Sequence, residues 1–253
     1  IVLADKTLKD RFGEKARKYI AAATRICWDK FNMRGQYYED GGWGSYRTHH
    51  SCIDPATGKW VSMPDSVVSD NLNKHYSMGV VLLRLWRLTA RDEYRERVEK
   101  IFGRHKAMAR YFRDEDRVVW NFWMPHGPYD MPGTSPKSWV GVHSSRPGYQ
   151  ASEVAMFVEV YDSGLVFEKT DLERIIRSNH WMIDNRLKSA DGTSDAGTVW
   201  SGLARFDEKI RANYEKNLRA KPNDKQRIEL AYLENVTIKR AGWDRLFVKD
   251  PAK

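Results

Sequence analysis

NKHYSMGVVLLRLWRLTARDEYRERVEKIFGRHKAMARYF, residues 73–112, contains two helical patterns and the stop between them. Met78, Val81, Leu82, Leu85 and Leu88 recur at three- and four-residue steps, which is one face of a helix with 3.6 residues per turn. The pattern breaks at Thr89-Ala90-Arg91-Asp92, after which Tyr94, Val98, Ile101, Phe102, Met108 and Phe112 build a second face. The spacing predicts helices over 66–89 and 93–112, with Ser69 or Asp70 able to cap the first. A link this short makes the two helices antiparallel neighbours.

The same unit recurs in both directions along the chain. Upstream, Leu8, Phe12, Ala16, Tyr19, Ala23, Ile26 and Cys27 predict one amphipathic helix over 6–31. Downstream, helices are predicted over 149–166 and 170–186, joined by Phe167-Glu168-Lys169, and again over 199–218 and 227–237. Long irregular stretches separate these units. The first, 32–64, carries Gly35, Gly41, Gly42, Gly44, Gly58 and Pro55 with Trp43, Tyr46 and Trp60 interleaved. The second, 113–148, carries Trp120, Phe122, Trp123, Tyr129, Trp139, five prolines, His126 and His143. Loops of this length are usually functional. The expected architecture is therefore all-α: one domain over 1–253, built of antiparallel helical hairpins in a partial toroid. Its short turns lie on one side and its aromatic loops surround a cleft on the other. An array of tetratricopeptide type would repeat every 34 residues, and no such period occurs.

Composition narrows the partners. The chain has 43 Lys and Arg against 34 Asp and Glu, a formal charge of +9, so its surface attracts polyanions: nucleic acid, anionic lipid or acidic polysaccharide. A 12% aromatic fraction is incompatible with a disordered chain. No apolar run approaches the roughly 20 residues of a membrane-spanning helix, so no membrane is expected. The densest basic stretch, 209–227, alternates with acids as a solvated helix face does, and no nucleic-acid motif is present, so no nucleic acid is expected either. Cys27 and Cys52 leave one bridge open. No metal-ligand spacing or cofactor motif appears, so neither a metal nor a cofactor is expected. The chain starts at Ile1 with no signal segment and reads as a processed form or a piece of a longer protein; the oligomeric state is left open.

Several of these stretches resemble the α/α-toroid polysaccharide lyases. Asn73 and Gly79 frame an Asn-x5-Gly pattern, Leu82-Leu83-Arg84-Leu85 follows, and Thr89 to Tyr94 is similar to the family's Thr-Gly-Asp-x-x-Tyr turn. Val119-Trp120-Asn121-Phe122-Trp123 resembles the aromatic segment after the second helix. Tyr161 to Phe167 with Asp171-Leu172 resembles the next hairpin, and the whole resemblance covers about residues 70–203. It implies a uronate polysaccharide as substrate, β-elimination as the reaction, and a periplasmic or secreted location. Two departures stand out. Tyr149 occupies the place of a family histidine, and the chain is shorter than the usual toroid, as if upstream helix pairs were missing.

β-Elimination needs a group that neutralises the C5 carboxylate, a base for the C5 proton and an acid for the leaving oxygen. Asn73, with His75 two residues on, is the candidate for the carboxylate, its competing role being a helix cap. Tyr149 is the candidate base or acid, with Arg146 as the cation that would lower its pKa and a packed core aromatic as its alternative reading. His143 is the next candidate base. Trp43, Trp123, His126, Tyr129 and Trp139 are candidate substrate contacts, or else fillers of the loop cores. Glu153, one helical turn after Tyr149, is a candidate orienting acid. A glycoside hydrolase would instead need two facing carboxylates, for which Glu39, Asp40, Asp70, Asp130 and Glu153 are available. The third reading is a carbohydrate- or polyanion-binding protein without catalysis.

Overall fold

The computed structural model describes residues 6–126, 130, 147–190, 192 and 197–220. The first predicted helix is present: α1 (Lys6–Thr24) runs through a π turn (Arg25–Asp29) into α2 (Lys30–Met33). The stretch that follows is not a loop. It folds as β1 (Tyr37–Asp40), β2 (Trp43–Ile53) and β3 (Trp60–Ser69), an antiparallel sheet in the order β1-β2-β3. Gly41 and Gly42, at φ 56° and 84°, form the two-residue connection that leaves Asp40 opposite Trp43. Two successive positive φ angles suit the twist of a tight hairpin and demand glycine. The second hairpin is closed by the Asp54 carboxylate, which accepts from the Ala56 amide (2.9 Å) and the Thr57 hydroxyl (2.7 Å). Pro64, which argues against a central strand, falls on the edge strand β3 where the register shifts.

The all-α expectation is thus corrected to a mostly helical chain with two small antiparallel sheets. The second sheet is the hairpin β4 (Arg110–Phe112) and β5 (Arg117–Val119), which ends the predicted 93–112 helix early. The central hairpin is present but starts later than the expected 66, because 66–69 belong to β3 and Asn71, not Ser69 or Asp70, holds the cap position: α3 (Leu72–Thr89) and α4 (Asp92–Met108). Ala90 turns the chain in the left-handed region at φ 56°, its amide bonding the Trp86 carbonyl at 2.7 Å. After it come α5 (Pro147–Tyr161), α6 (Lys169–Asp184) and α7 (Glu208–Ala220). Glu168 and Asp171 form a reciprocal capping box at the start of α6. The helix expected over 199–218 is divided into a 3-10 turn (Ser201–Leu203) and α7, and Asp207 accepts the Ile210 amide at 2.9 Å to start the latter. The helix expected over 227–237 lies outside the described residues.

An aromatic cluster holds α3, α4 and α5 together. Tyr76 stacks on Phe102 at 5.1 Å, and Phe157 meets both edge-on. Trp120 packs against Phe157 and against Trp200 (5.3 Å). α3 and α5 run parallel. At their first turns the Leu72 amide bonds the Phe122 carbonyl (3.1 Å), and the Phe122 ring stacks on Tyr149 at 5.4 Å. At their last turns Arg84 makes a two-pronged bond to Glu159 (2.8 and 2.7 Å), and Arg87 reaches Ser163 (2.6 Å). α6 packs on β5 and α7, with Ser178 bonding both backbone groups of Val118. Among the described residues no helix is long and apolar enough to cross a membrane.

The α3–α4 contact depends on Gly79. A Cβ there would lie 2.6 Å from the Phe102 ring, which Tyr76, Phe157 and Phe167 hemmed in on its other sides cannot let swing away. Overpacking of this kind costs about 1–3 kcal/mol, against a helix-propensity gain of at most about 1 kcal/mol. Gly79→Ala is therefore expected to lower the urea midpoint. Adding Phe102→Leu is expected to recover part of the loss, which a double-mutant cycle reads as a favourable coupling.

Candidate functional site

The parallel course of α3 and α5 brings both N-termini to one end of the molecule, and the antiparallel return brings the C-terminal turns of α4 there too. The 120–126 segment lies among these ends, and the ends of β2 and β3 close them from the side. Two of the catalytic candidates, Asn73 and Tyr149, lie at this end. Asn73 sits in the first turn of α3, the Leu72 backbone beside it is bonded to Phe122, and Phe122 stacks on Tyr149 at the start of α5. Asn73 is not the helix cap. Asn71 holds that position and makes no side-chain cap bond. The Asn73 Oδ1 atom is buried without a partner among the described residues.

His75 and His126 flank this group from below and from the side. His75 is 1% exposed, its ring bonds the Tyr46 carbonyl, and its Nε2 has no partner among the described residues. A proton held on Nδ1 by that carbonyl leaves the lone pair on Nε2. His126 Nδ1 lies 2.6 Å from the Ser45 hydroxyl, and its Nε2 is likewise buried and unpartnered among the described residues. Asp130 fixes the segment in place: its carboxylate accepts from the Ser69 amide (2.7 Å), the Ser69 hydroxyl (2.5 Å) and the His126 amide (2.6 Å).

Two candidates are core residues. Trp123 is 1% exposed and its indole N–H donates to the Ser69 carbonyl at 2.7 Å, so it offers no open face to a sugar ring. Glu153 is fully buried and accepts from the Trp120 indole at 2.7 Å. Burial pushes its carboxyl up to about 8, the Trp120 bond opposing only part of that shift, so it is a neutral acid at pH 7. Trp43 stands apart. Its indole lies against Gly103 of α4, in a groove shared with Lys106 and the 164–166 turn. His143, Arg146, Tyr129 and Trp139 lie outside the described residues.

The sequence reading missed Arg104. It is 2% exposed, bonds the carbonyls of Met124 and Pro125 (2.8 Å to the latter), and burial lowers its pKa to about 10. Its charge, added to burial, holds His105 down to about 3 and His126 down to about 4. His105 in turn pairs with Tyr76 at 2.6 Å. On a helix carrying eight other charged side chains in 92–106, nothing in the sequence separates Arg104 from a solvated arginine. The result is a site with a buried positive charge, two neutral imidazoles and two helix N-termini, a setting that favours anions. Among the described residues no three His, Cys, Asp or Glu side chains gather as metal ligands.

Among the described residues, four of the candidate carboxylates each carry a hydrogen-bond partner of their own. Glu39 is bonded to Lys100 (2.6 Å), Asp70 to Lys74 (3.1 Å), Asp130 is filled by three donors and Glu153 is in the core. Neither a known protein family, nor a curated protein, nor a solved structure matches the chain.

The buried titrations set a pH profile. His75, His105 and His126 have depressed pKa values, so the unfolded chain takes up protons that the folded one refuses as pH falls below about 6.5, and stability drops on the acid side. Glu153 acts in the opposite sense. Its raised pKa gives stability that is complete below the unfolded value near 4.5 and lost progressively as pH rises to about 8. Denaturant unfolding is expected to show maximal stability near pH 6.5, and Glu153→Gln to remove most of the decline between there and about 8.

Proposed function

We propose that the chain degrades a uronate-containing polysaccharide by β-elimination, on a helical scaffold of partial-toroid type. The observation that carries this reading is the placement of Asn73 and Tyr149 at the shared N-terminal end of α3 and α5, where Phe122 bonds the Leu72 amide next to Asn73 and stacks on Tyr149. Parallel neighbouring helices with their long connections at one end are what a toroid of hairpins requires. The +9 charge and the buried Arg104 favour an acidic polymer.

In this reading the side-chain amide of Asn73 donates a hydrogen bond to the C5 carboxylate and draws charge from it, which acidifies the C5 proton. Tyr149 takes that proton as general base, with Arg146 as the proposed neighbouring cation. The electron pair forms the C4–C5 double bond as the C4–O bond breaks, and the Tyr149 hydroxyl returns the proton to the leaving oxygen. His143 is the alternative base. His75 and His126 are buried neutral imidazoles that form the wall behind the site and do not touch the polymer directly. A hydrolase is less well supported, since the described carboxylates are each committed to separate partners.

The test is incubation with alginate, glucuronan, pectate and glycosaminoglycans while following the ultraviolet band of the unsaturated uronate. A rise with one of them is expected. New reducing ends without the band would replace the lyase with a hydrolase, and binding without either product would leave a non-catalytic carbohydrate protein. Tyr149→Phe and Asn73→Ala are each expected to lower kcat by at least about 100-fold with the thermal midpoint little changed. Retention of full activity in both would remove them from the mechanism.

A further inference from the structure

The helix formed by α1, the π turn and α2 has one face docked on the body and one face bare. Ile20, Ala23, Trp28 and Phe31 pack toward the core, Trp28 meeting Tyr94 edge-on at 4.9 Å and Asn32 accepting from Arg97 at 2.8 Å. On the other side Phe12, Tyr19, Ile26 and Met33 are 40%, 64%, 50% and 87% exposed. These four recur every seven residues, the repeat with which one helix meets another. A scattered exposed apolar side chain needs no explanation, but a regular seam of four on one helix marks an interaction surface.

Charge selects the partner. Residues 6–34 carry nine Lys and Arg against three Asp and Glu, a net +6. Arg11 and Lys15 lie over the rings of Phe12 and Tyr19, so the cations flank the seam directly. A second copy of this helix would bring +6 against +6, which opposes self-pairing. The seam also ends in a notch of about 420 Å³ lined by Arg25, Ile26, Asp29, Lys30, Met33 and Arg34. A notch between two apolar seam residues, ringed by three cations and one acid, takes a protruding side chain from a rigid partner with acidic neighbours. A fluid bilayer surface has no use for such a concavity.

We infer that the Phe12–Tyr19–Ile26–Met33 seam is a docking surface for an acidic amphipathic helix of another protein, paired in the manner of a coiled coil. The partner presents apolar side chains at the seam and Glu or Asp at the flanking positions. None of the four seam residues is among those placed at the candidate site, so the inference is tested independently of the proposed function.

The test uses the whole purified chain and a fluorescently tagged synthetic peptide of about four heptads, with Leu at the a and d positions and Glu at e and g. Saturable binding is expected by anisotropy. It is expected to weaken at least about tenfold when Lys replaces Glu in the peptide, and about tenfold when salt rises from roughly 0.05 to 0.5 M. Tyr19→Glu and Ile26→Glu, both at exposed positions, are each expected to weaken it at least about tenfold with unchanged circular dichroism and melting. The inference is overturned if the Glu peptide binds no better than the Lys peptide, or if Ile26→Glu leaves binding intact. It is overturned equally if the peptide fails while phosphatidylserine vesicles retain the wild-type chain but not Ile26→Glu, which makes the seam a membrane contact. A dimer in sedimentation that Ile26→Glu dissociates makes it a self-interface and also refutes the acidic partner.

Discussion

The indole of Trp120 donates to the buried carboxyl of Glu153, and the rest of the structure is arranged around that bond. It fastens the segment after β5 to the inner face of α5, and from there the chain passes directly between the first turns of α3 and α5. The bond exists only because the core around it is aromatic and dry: His105, Phe157 and Trp200 all touch the Trp120 ring. In that environment a carboxylate would be costly, and burial keeps Glu153 protonated to about pH 8. A neutral acid can lie in an apolar core while still accepting a hydrogen bond.

A second constraint follows from the first. With the 120–126 segment fixed, Trp123 bonds the Ser69 carbonyl and Asp130 gathers Ser69 and His126, so the end of β3 is tied to the same place. The small sheet then supplies the Tyr46 carbonyl to His75 and the Ser45 hydroxyl to His126. Helical hairpins alone would have left these imidazoles without orientation. The β meander is what gives each ring one fixed nitrogen and leaves the other available.

Much of this was legible in residues 73–112 and their repeats. The α3–α4 hairpin, its short turn and the long connections on the opposite side follow from helical periodicity and from the missing periodicity between units. The sheet was legible in principle: Gly41-Gly42 between aromatic runs is a two-residue hairpin signal, but a glycine-rich stretch with Pro55 and Pro64 also has the composition of a loop. The roles of Trp123 and Glu153 were not legible. A tryptophan among prolines can equally be a platform or a core residue, and only the Ser69 carbonyl and the covering side chains separate the two. Arg104 was hidden for the converse reason, since charge spacing along a helix does not reveal which turn is covered by another segment.

The sequence by itself determined the helical units, their order and the basic charge, because each is a property of local spacing or composition, whereas packing decided that Phe12, Tyr19 and Ile26 of the first helix are left exposed. Tertiary structure alone decided that α3 and α5 lie parallel, that Phe122 joins the first turn of α3 to Tyr149, and that Trp43 faces a different groove. The physical reason is distance along the chain. Periodicity reports which face of an element is apolar, whereas the choice of which face meets which is made by buried polar groups such as Glu153, Asp130 and His75, whose partners lie 33, 61 and 29 residues away.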